Sequence, residues 1–542
     1  AGGIINFGSA GNAAYVPLIV VDDGGNLTET TTGDFSLGDI SQPVLGTLTL
    51  NNTAPIEFNI DASASFFLDM TVNGSGDLNF NGAAGSTLWL SDTAGHGGTI
   101  RFNGAGDQVK ITEANGGVGA LEMNSTGANT LFFDPEVQSD NGTVIFNQPG
   151  TIDHASTQTA PTRRRLHGMT NLVANAPITV DLSKGFPNDS GLIDERRFLI
   201  GTSLAGSGDI TVNGMSFDPT NPGSEFWTTL NEFELGSSGD VVPPTSEYSG
   251  VVTANNYVNV EIRHNLPNAR IVINSNARMD AGVQTVPGVE GSSAVLRDIQ
   301  VGEIVVNNGG ILEVGFEQDE TGSAFFQQTG HHVGHLVLVN NDARDGDLTL
   351  SGGATLRMQI NGTANELFDR ITVQGDVALD GTLDVLISPP SSSGTANANY
   401  VPTIGDVFNI ITLVSGPAGA ADFDDSGAID GADLDVWKGA FGVANAAGDA
   451  DGDADTDGAD LLAWQRSLGA GGTVGAITGD FDAINVIDPA GLMAGKAIQL
   501  VKTASAVQLH VVAAVAAIPE PAALSLAVLA ACGVAVAARR RR

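Results

Sequence analysis

The sequence predicts an all-β protein built as a parallel β-solenoid, and two observations carry that expectation. A two-strand phrase returns every 21 to 23 residues, and the composition favours turns, with 70 Gly among 542 residues but only 16% charged and 6% aromatic residues. Gly, Asn, Asp, Ser and Thr turn the chain at short intervals, while β-branched and Leu residues fill the segments between. A chain this long can stack many such units around one core.

The first strand of the phrase reads apolar-x-apolar-Asn. It occurs as Ile56-Glu57-Phe58-Asn59, Leu78-Asn79-Phe80-Asn81, Ile100-Arg101-Phe102-Asn103, Leu121-Glu122-Met123-Asn124 and Val144-Ile145-Phe146-Asn147. Gly76, Gly98, Gly119 and Gly142 each stand two residues ahead, and Gly33 before Phe35-Ser36-Leu37 suggests an earlier rung. A second strand keeps step at Leu48/Leu50, Leu68/Met70, Leu88/Leu90, Val109/Ile111 and Leu131/Phe133. One such unit cannot enclose a core, but stacking units about 4.8 Å apart buries the inward residues in columns. Asn at a fixed place turns the chain, and stacked amides can bond along the axis.

Beyond residue 160 the style persists with a looser period, as in Gly208-Asp209-Ile210-Thr211-Val212-Asn213-Gly214 and Gly346-Asp347-Leu348-Thr349-Leu350-Ser351-Gly352. The stretches Arg163–Arg165, Phe217–Pro244 and Pro389–Ser393 read as loops or boundaries. Leu348 to Ile387, with Phe368-Asp369-Arg370-Ile371-Thr372-Val373 and Gly381-Thr382-Leu383-Asp384-Val385, resembles the end of autotransporter-like β-helical passengers. That resemblance implies fold and says little about chemistry.

Charge excludes one class of partner. With 62 acidic against 23 basic residues the net charge is −39, which repels phosphate backbones and sets nucleic-acid binding aside. Acidity of this kind serves solubility outside the cell, with calcium ligation taking a local share. The single cysteine, Cys532, allows no intrachain disulfide.

Part of the acidity is concentrated in two phrases. Asp422, Asp424, Ser426, Asp430 and Asp433 fall at positions 1, 3, 5, 9 and 12 of a calcium loop, with Gly427 at the sharp turn. Twenty-seven residues later Asp449, Asp451, Asp453, Asp457 and Asp460 repeat the pattern, and Leu434 and Trp437 are matched by Leu461 and Trp464. The main-chain carbonyls of Ala428 and Asp455 would complete the two shells. From Asp422 to Asp460 there are 12 Asp against one Lys, so the empty module repels itself and its folding should depend on calcium. Ala454 replaces Gly at the sixth position of loop two, which weakens that loop if the turn needs positive φ. A register starting at Asp453 would put Trp464 at position 12, so the first register stands.

Paired loops of this kind, each followed by a short apolar segment, resemble dockerin modules. The resemblance implies a small α-helical calcium-binding module and a cohesin-like protein as a partner. Gly431-Ala432 and Gly458-Ala459, where hydroxyl residues commonly contact cohesin, argue against that partner. Gly405-Asp406-Val407-Phe408-Asn409-Ile410-Ile411 before the module and Ile477-Thr478-Gly479-Asp480-Phe481 after it read as halves of one β-element, so residues 418–472 look inserted. Alternation through Val507, Leu509 and Val511 supplies a closing strand.

At the C-terminus, Pro519-Glu520-Pro521 precedes 17 apolar or small residues, 522–538, and then Arg539 to Arg542. As a helix the run spans roughly 26 Å, near the lower limit for a bilayer, with the arginines held on the cytoplasmic side. The order resembles the PEP-CTERM sorting signal and implies a transmembrane sorting helix recognised by an exosortase-type processing enzyme. The chain starts at Ala1 and not Met, so the expectation is an N-terminal secretion signal either removed or truncated ahead of it.

Five regions follow: a solenoid over 1–160, a less regular β-rich continuation over 161–417, the calcium module over 418–472, closing strands over 473–517 and the sorting signal over 518–542. The expected function is that of an exported cell-surface or extracellular-matrix structural or adhesion protein, with extracellular polysaccharide among its partners. The competing reading is a β-helical lyase or glycosidase displayed through the dockerin-like module, and such chemistry needs paired carboxylates. The outward residues of the first ladder, Glu57, Asn79, Arg101, Glu122 and Ile145, place no two carboxylates on adjacent rungs. His331, His332 and His335 form the one His cluster, in which His331 and His335 could share a metal, but no further ligand is identifiable. Arg163-Arg164-Arg165-Leu166-His167 reads as a loop, no aromatic platform stands out, and no catalytic activity is expected.

Overall fold

The computed structural model describes residues 18–21, 26–28, 35–38, 47–51, 55–93, 95–111, 119–133, 142–153, 164–183, 195–214, 231–236, 245–281, 298–315, 333–341, 343–387, 400–416, 419–424, 426–443, 447–450, 455–469, 471–472, 474–488 and 491–514. The fold is all-β and β-helix-like, with two long parallel sheets and two α-helices among these residues.

The apolar-x-apolar-Asn strands form one sheet. Ile56–Ile60, Leu78–Gly82, Thr99–Gly104, Ala120–Met123 and Thr143–Phe146 pair in register, so that Phe58, Phe80, Phe102, Met123 and Phe146 make one inward column. Alternation decides the face, because a period of two sends every second side chain inward. All five column residues are buried, and Phe58 and Phe80 stack with centroids 4.7 Å apart and planes 11° apart. Each buried side chain of this size contributes about 1.5–3 kcal/mol. The second sheet supplies the opposite wall, with Phe66, Leu88, Val109, Leu131, Ile152 and Val180 as its inward column.

The asparagines tie the rungs along the axis. Asn124 donates to Asn103 at 3.0 Å, Asn147 to Asn124 at 2.8 Å, and Asn175 to Asn147 at 2.7 Å. A second ladder begins on the other sheet, where Asn255 donates to Asn213 at 3.1 Å, Asn274 to Asn255 at 2.7 Å and Asn307 to Asn274 at 2.7 Å. Each amide offers donors and an acceptor, so a column of them satisfies itself rung after rung.

The structure corrects the sequence reading at several points. Phe35–Gly38 pairs with Phe66–Asp69 in the second sheet and does not precede the first ladder. The long strand Ser65–Gly74 takes two partners on its N-terminal side, because Thr47–Leu50 pairs with Thr71–Gly74. Phe66 and Leu68, in place of Leu68 and Met70, therefore stand opposite Leu88 and Leu90. Arg164 to His167 open an 11-residue strand paired with Glu195–Gly206, where a loop is expected from the run of arginines. Asn231–Leu235, inside the Pro-rich interval, is also a strand, held by the buried Phe233 and Leu235. Arg163 and 389–393 lie outside the described residues.

An outward aromatic column, invisible as a local motif, also forms across rungs. Phe67 stacks on Trp89 at 5.2 Å, and Lys110 Nζ sits 4.4 Å from the Trp89 centroid and 5.2 Å from that of Phe132. Their faces serve each other, which makes the column a surface rib held by stacking and cation–π contact.

At the C-terminal end the parallel ladder stops. Val407–Leu413 pairs in parallel with Ile371–Val373 on one side and antiparallel with Ala506–Ala513 on the other, and Lys496–Lys502 completes an antiparallel hairpin. Val507, Leu509 and Val511 are buried there. The last rung returns at Ile477–Gly479, against Val377–Leu379, and Ala483–Ile487, against Thr382–Leu386. Between Leu413 and Ile477 the chain leaves and re-enters at one point, where Ser415 and Val474 form an antiparallel bridge.

A candidate metal centre in paired aspartate loops

The two helices lie in that excursion, as α1 (Gly431–Ala440) and α2 (Gly458–Ser467). Each begins with a capping box made of aspartates. Asp430 accepts from Ala432 N at 2.7 Å while Asp433 accepts from Asp430 N at 2.7 Å. Asp457 and Asp460 repeat both bonds, each at 2.6 Å. The caps satisfy orphan amides of the first turn and set negative charge at the positive end of each helix dipole.

The 27-residue repeat becomes a reciprocal clasp. Trp437 Nε1 donates to the Asp457 carbonyl and Trp464 Nε1 to the Asp430 carbonyl, both at 2.9 Å. Beyond the helices, Gly442 N donates to Thr456 O at 2.8 Å and Gly469 N to Ile429 O at 2.9 Å. Ala421, Ile429 and Trp464 form a core separate from that of the solenoid, with Phe423, Leu434, Ala450 and Leu461 packed around it.

Within loop one, carboxylate oxygens of Asp422, Asp424 and Asp433 lie within 4.8 Å of one another. That spacing suits a cation whose oxygen ligands sit about 2.3–2.6 Å from it. Asp422 accepts from Ser426 N at 3.0 Å and Gly427 N at 2.9 Å, which folds the loop back on itself. Gly427 takes φ +80°, and a Cβ there would fall 2.6 Å from the Ser415 side chain, so both conformation and neck packing demand glycine. The Ser426 hydroxyl holds the exposed Asp424 carboxyl below the usual carboxylate range, with the Ser426 amide adding to it.

Of the residues singled out in the sequence, Asp422, Asp424 and Asp433 converge, while the Asp430 side chain caps α1 and the Ser426 Oγ lies 3.2 Å from the Ala428 carbonyl oxygen. Loop two gathers Asp455, Asp457 and Asp460. Asp455 brings its carboxylate to this cluster, where the loop pattern assigns it a main-chain carbonyl. Asp449 stands outside the cluster, and Asp451, Asp453 and Ala454 lie outside the described residues. Asp433 accepts from Asp424 N at 3.3 Å, and Asp460 accepts from Ala450 N at 2.7 Å. The donor set is all oxygen and mostly anionic, which fits a hard divalent cation such as calcium in loop one.

A second concentration of charge escapes sequence reasoning. Glu234, Glu261, Asp280, Glu313, Arg357 and Asp384 stand in register on successive outward positions of the first sheet. Arginines thread the column: Arg263 pairs with Glu234 and Glu261, Arg278 with Asp280 at 2.6 Å and Glu313 at 3.1 Å, and Arg357 with Glu313 at 3.4 Å. Burial pushes the Asp280 carboxyl up to about 6 despite Arg278. The carboxylates are therefore committed to ion pairs that register the rungs. The signal was the phrase apolar-acid-apolar in Phe233-Glu234-Leu235, Val260-Glu261-Ile262, Met279-Asp280-Ala281 and Leu312-Glu313-Val314, whose spacing is too irregular to align without the fold.

His335 opens an interior strand of the second sheet and is bonded to Asp298 and Thr372. His331 and His332 lie outside the described residues, as does the apolar run 522–538. Among the described residues no helix is long and apolar enough to cross a membrane. No protein-family model and no curated protein matches the chain. The class that fold and site define is thus a β-helix-like protein with paired aspartate loops at the C-terminal end of its rungs.

Proposed function

We propose that this chain is an exported structural or adhesion protein of the cell surface or extracellular matrix, in which a β-solenoid shaft carries a dockerin-like calcium module. The convergence of Asp422, Asp424 and Asp433 around the Gly427 turn, on a duplicated and clasped pair of loops, supports this reading most. Calcium, when bound, would neutralise carboxylates that otherwise repel each other, and Asp422, Asp424, Asp433 and the Ala428 carbonyl would hold it in loop one. Asp455, Asp457 and Asp460 would serve loop two. Bound calcium would make the module a stiffened projection from the rung end, with both chain connections at one neck.

The sorting signal over 518–542 belongs to the same proposal, with an exosortase-type enzyme as the processing partner and the run 522–538 as the membrane segment before cleavage. Extracellular polysaccharide is the partner proposed for the solenoid, and Gly431-Ala432 and Gly458-Ala459 argue against a cohesin-like protein. Calorimetric titration of the full chain with calcium, alongside near-ultraviolet circular dichroism of the tryptophans, tests the module. Uptake with a change in the Trp437 and Trp464 signals is expected. Absence of uptake would remove calcium from the reading, and an intact Arg542 end in a cytoplasmic pool would remove export.

A further inference from the structure

The second sheet brings three residues from distant parts of the sequence into one hydrogen-bonded line. Asp298 opens the strand Asp298–Val306, His335 opens His335–Leu338, and Thr372 lies in Arg370–Val373. These strands are successive neighbours in the ladder, with Asp298 opposite His335 and His335 opposite Arg370. Asp298 Oδ1 lies 2.6 Å from His335 Nδ1, and His335 Nε2 lies 2.9 Å from Thr372 Oγ1. The carboxylate on Nδ1 fixes the tautomer whose Nε2 is a bare acceptor, so the Thr372 hydroxyl donates to it.

We propose that Asp298, His335 and Thr372 form an acyl-transfer site that hydrolyses esters, with Thr372 as nucleophile, His335 as base and Asp298 as the positioning residue. A nucleophilic hydroxyl needs a base within hydrogen-bond reach and a third group orienting that base, and both conditions are met. Burial lowers the His335 pKa below the ordinary imidazole value, against the raising effect of Asp298 and with the help of the nearby Arg370 charge. The ring is thereby kept neutral and ready to accept a proton. Arg370 Nε is buried without a hydrogen-bond partner, and no ion pair engages this guanidinium among the described residues. Arg370 stands in register with His335, and in the proposed site its cation would stabilise charge that develops on a carbonyl oxygen.

The chemistry closes. Thr372 Oγ1 attacks the ester carbonyl carbon while its proton passes to His335 Nε2, and the carbonyl electron pair becomes an oxyanion beside Arg370. Collapse of this intermediate breaks the bond to the alcohol oxygen, which takes the proton from His335 and leaves. A water molecule then attacks the threonyl ester as His335 accepts its proton, releasing a carboxylic acid and restoring Thr372. An acylated alcohol, such as an O-acetylated sugar of a surface polymer, is the class of substrate that fits.

The test uses the full chain and 4-nitrophenyl acetate. Thr372→Ala and His335→Ala should each lower turnover by about 10²-fold or more, and Thr372→Ser should retain it. Asp298→Asn should lower the rate and move the acid limb of the profile to lower pH, since Asp298 and Arg370 are the charged groups facing His335 and only the first raises its pKa. Peptide mapping after a short incubation, or after a fluorophosphonate probe, should find the adduct on Thr372. Turnover unchanged in Thr372→Ala would overturn the proposal. So would an unaltered wild-type Thr372 peptide, a readout that stands even if the variants misfold.

Discussion

The indole N–H of Trp464 donates to the main-chain oxygen of Asp430, the residue that caps the other helix. Trp437 returns the bond to Asp457, so each cap carbonyl is held by the helix of the opposite loop. Loop and helix thus form one cooperative unit, in which the position of the aspartates depends on two indoles.

Trp464→Phe should keep most of the packing but leave the Asp430 carbonyl without its indole donor, at a cost of about 1 kcal/mol. Trp464→Ala should cost about 3–5 kcal/mol, because the ring is 8% exposed and anchors the small core. Hydrogen exchange over residues 419–472 measures both. Protection should fall across the module and stay unchanged in the solenoid rungs before Ile387.

Phe80 packs against Phe58 at 4.7 Å and Phe66 at 5.2 Å, with no exposure to solvent. Phe80→Ala removes one member of a continuous column and should destabilise the adjoining rungs by about 3–5 kcal/mol. Denaturant unfolding checks the size. A loss under 1 kcal/mol would mean that neighbouring rungs close the gap.

Asp280 gives a pH dependence of definite sign. Its folded-state pKa, raised by burial to about 6, exceeds the unfolded value of about 3.9, so the native state holds the proton more tightly. The contribution of this group is complete below pH about 4 and is lost as pH rises through about 6. Arg278→Ala removes the cation that lowers this pKa and should move it higher still. Carboxyl chemical shifts followed by NMR titration in both proteins report the two midpoints.

The early rungs were legible because Phe58, Phe80 and Phe102 recur at one spacing with Asn59, Asn81 and Asn103 behind them. Inward columns follow directly from such alternation. The strand Asn231–Leu235 was hidden because only Phe233 and Leu235 carry its pattern, amid residues that otherwise signal turns. Relationships across rungs were out of reach for another reason. Asp298, His335 and Thr372 are 37 residues apart at each step, a distance set by the lengths of the intervening excursions and not by any local rule. The aspartate loops were legible as a motif, yet not the clasp between them, because Trp437 and Trp464 stand 20 and 34 residues from the carbonyls they hold.

The sixth position of each loop bears on calcium affinity. Loop one turns at Gly427 in the left-handed region, and its 27-residue counterpart is Ala454. An alanine held in that conformation costs about 1–2 kcal/mol, equivalent to about 5- to 30-fold in affinity, unless the loop takes another path and gives up ligands. Either route makes loop two the weaker site. Asp433→Asn and Asp460→Asn each remove a charge while keeping an acceptor for the helix cap, so the remaining site can be titrated in an otherwise folded module. Calcium should bind more tightly to the Asp460→Asn protein, which retains loop one, than to the Asp433→Asn protein. Equal affinities would show that Gly427 does not set the ranking, and a tighter Asp433→Asn protein would reverse it.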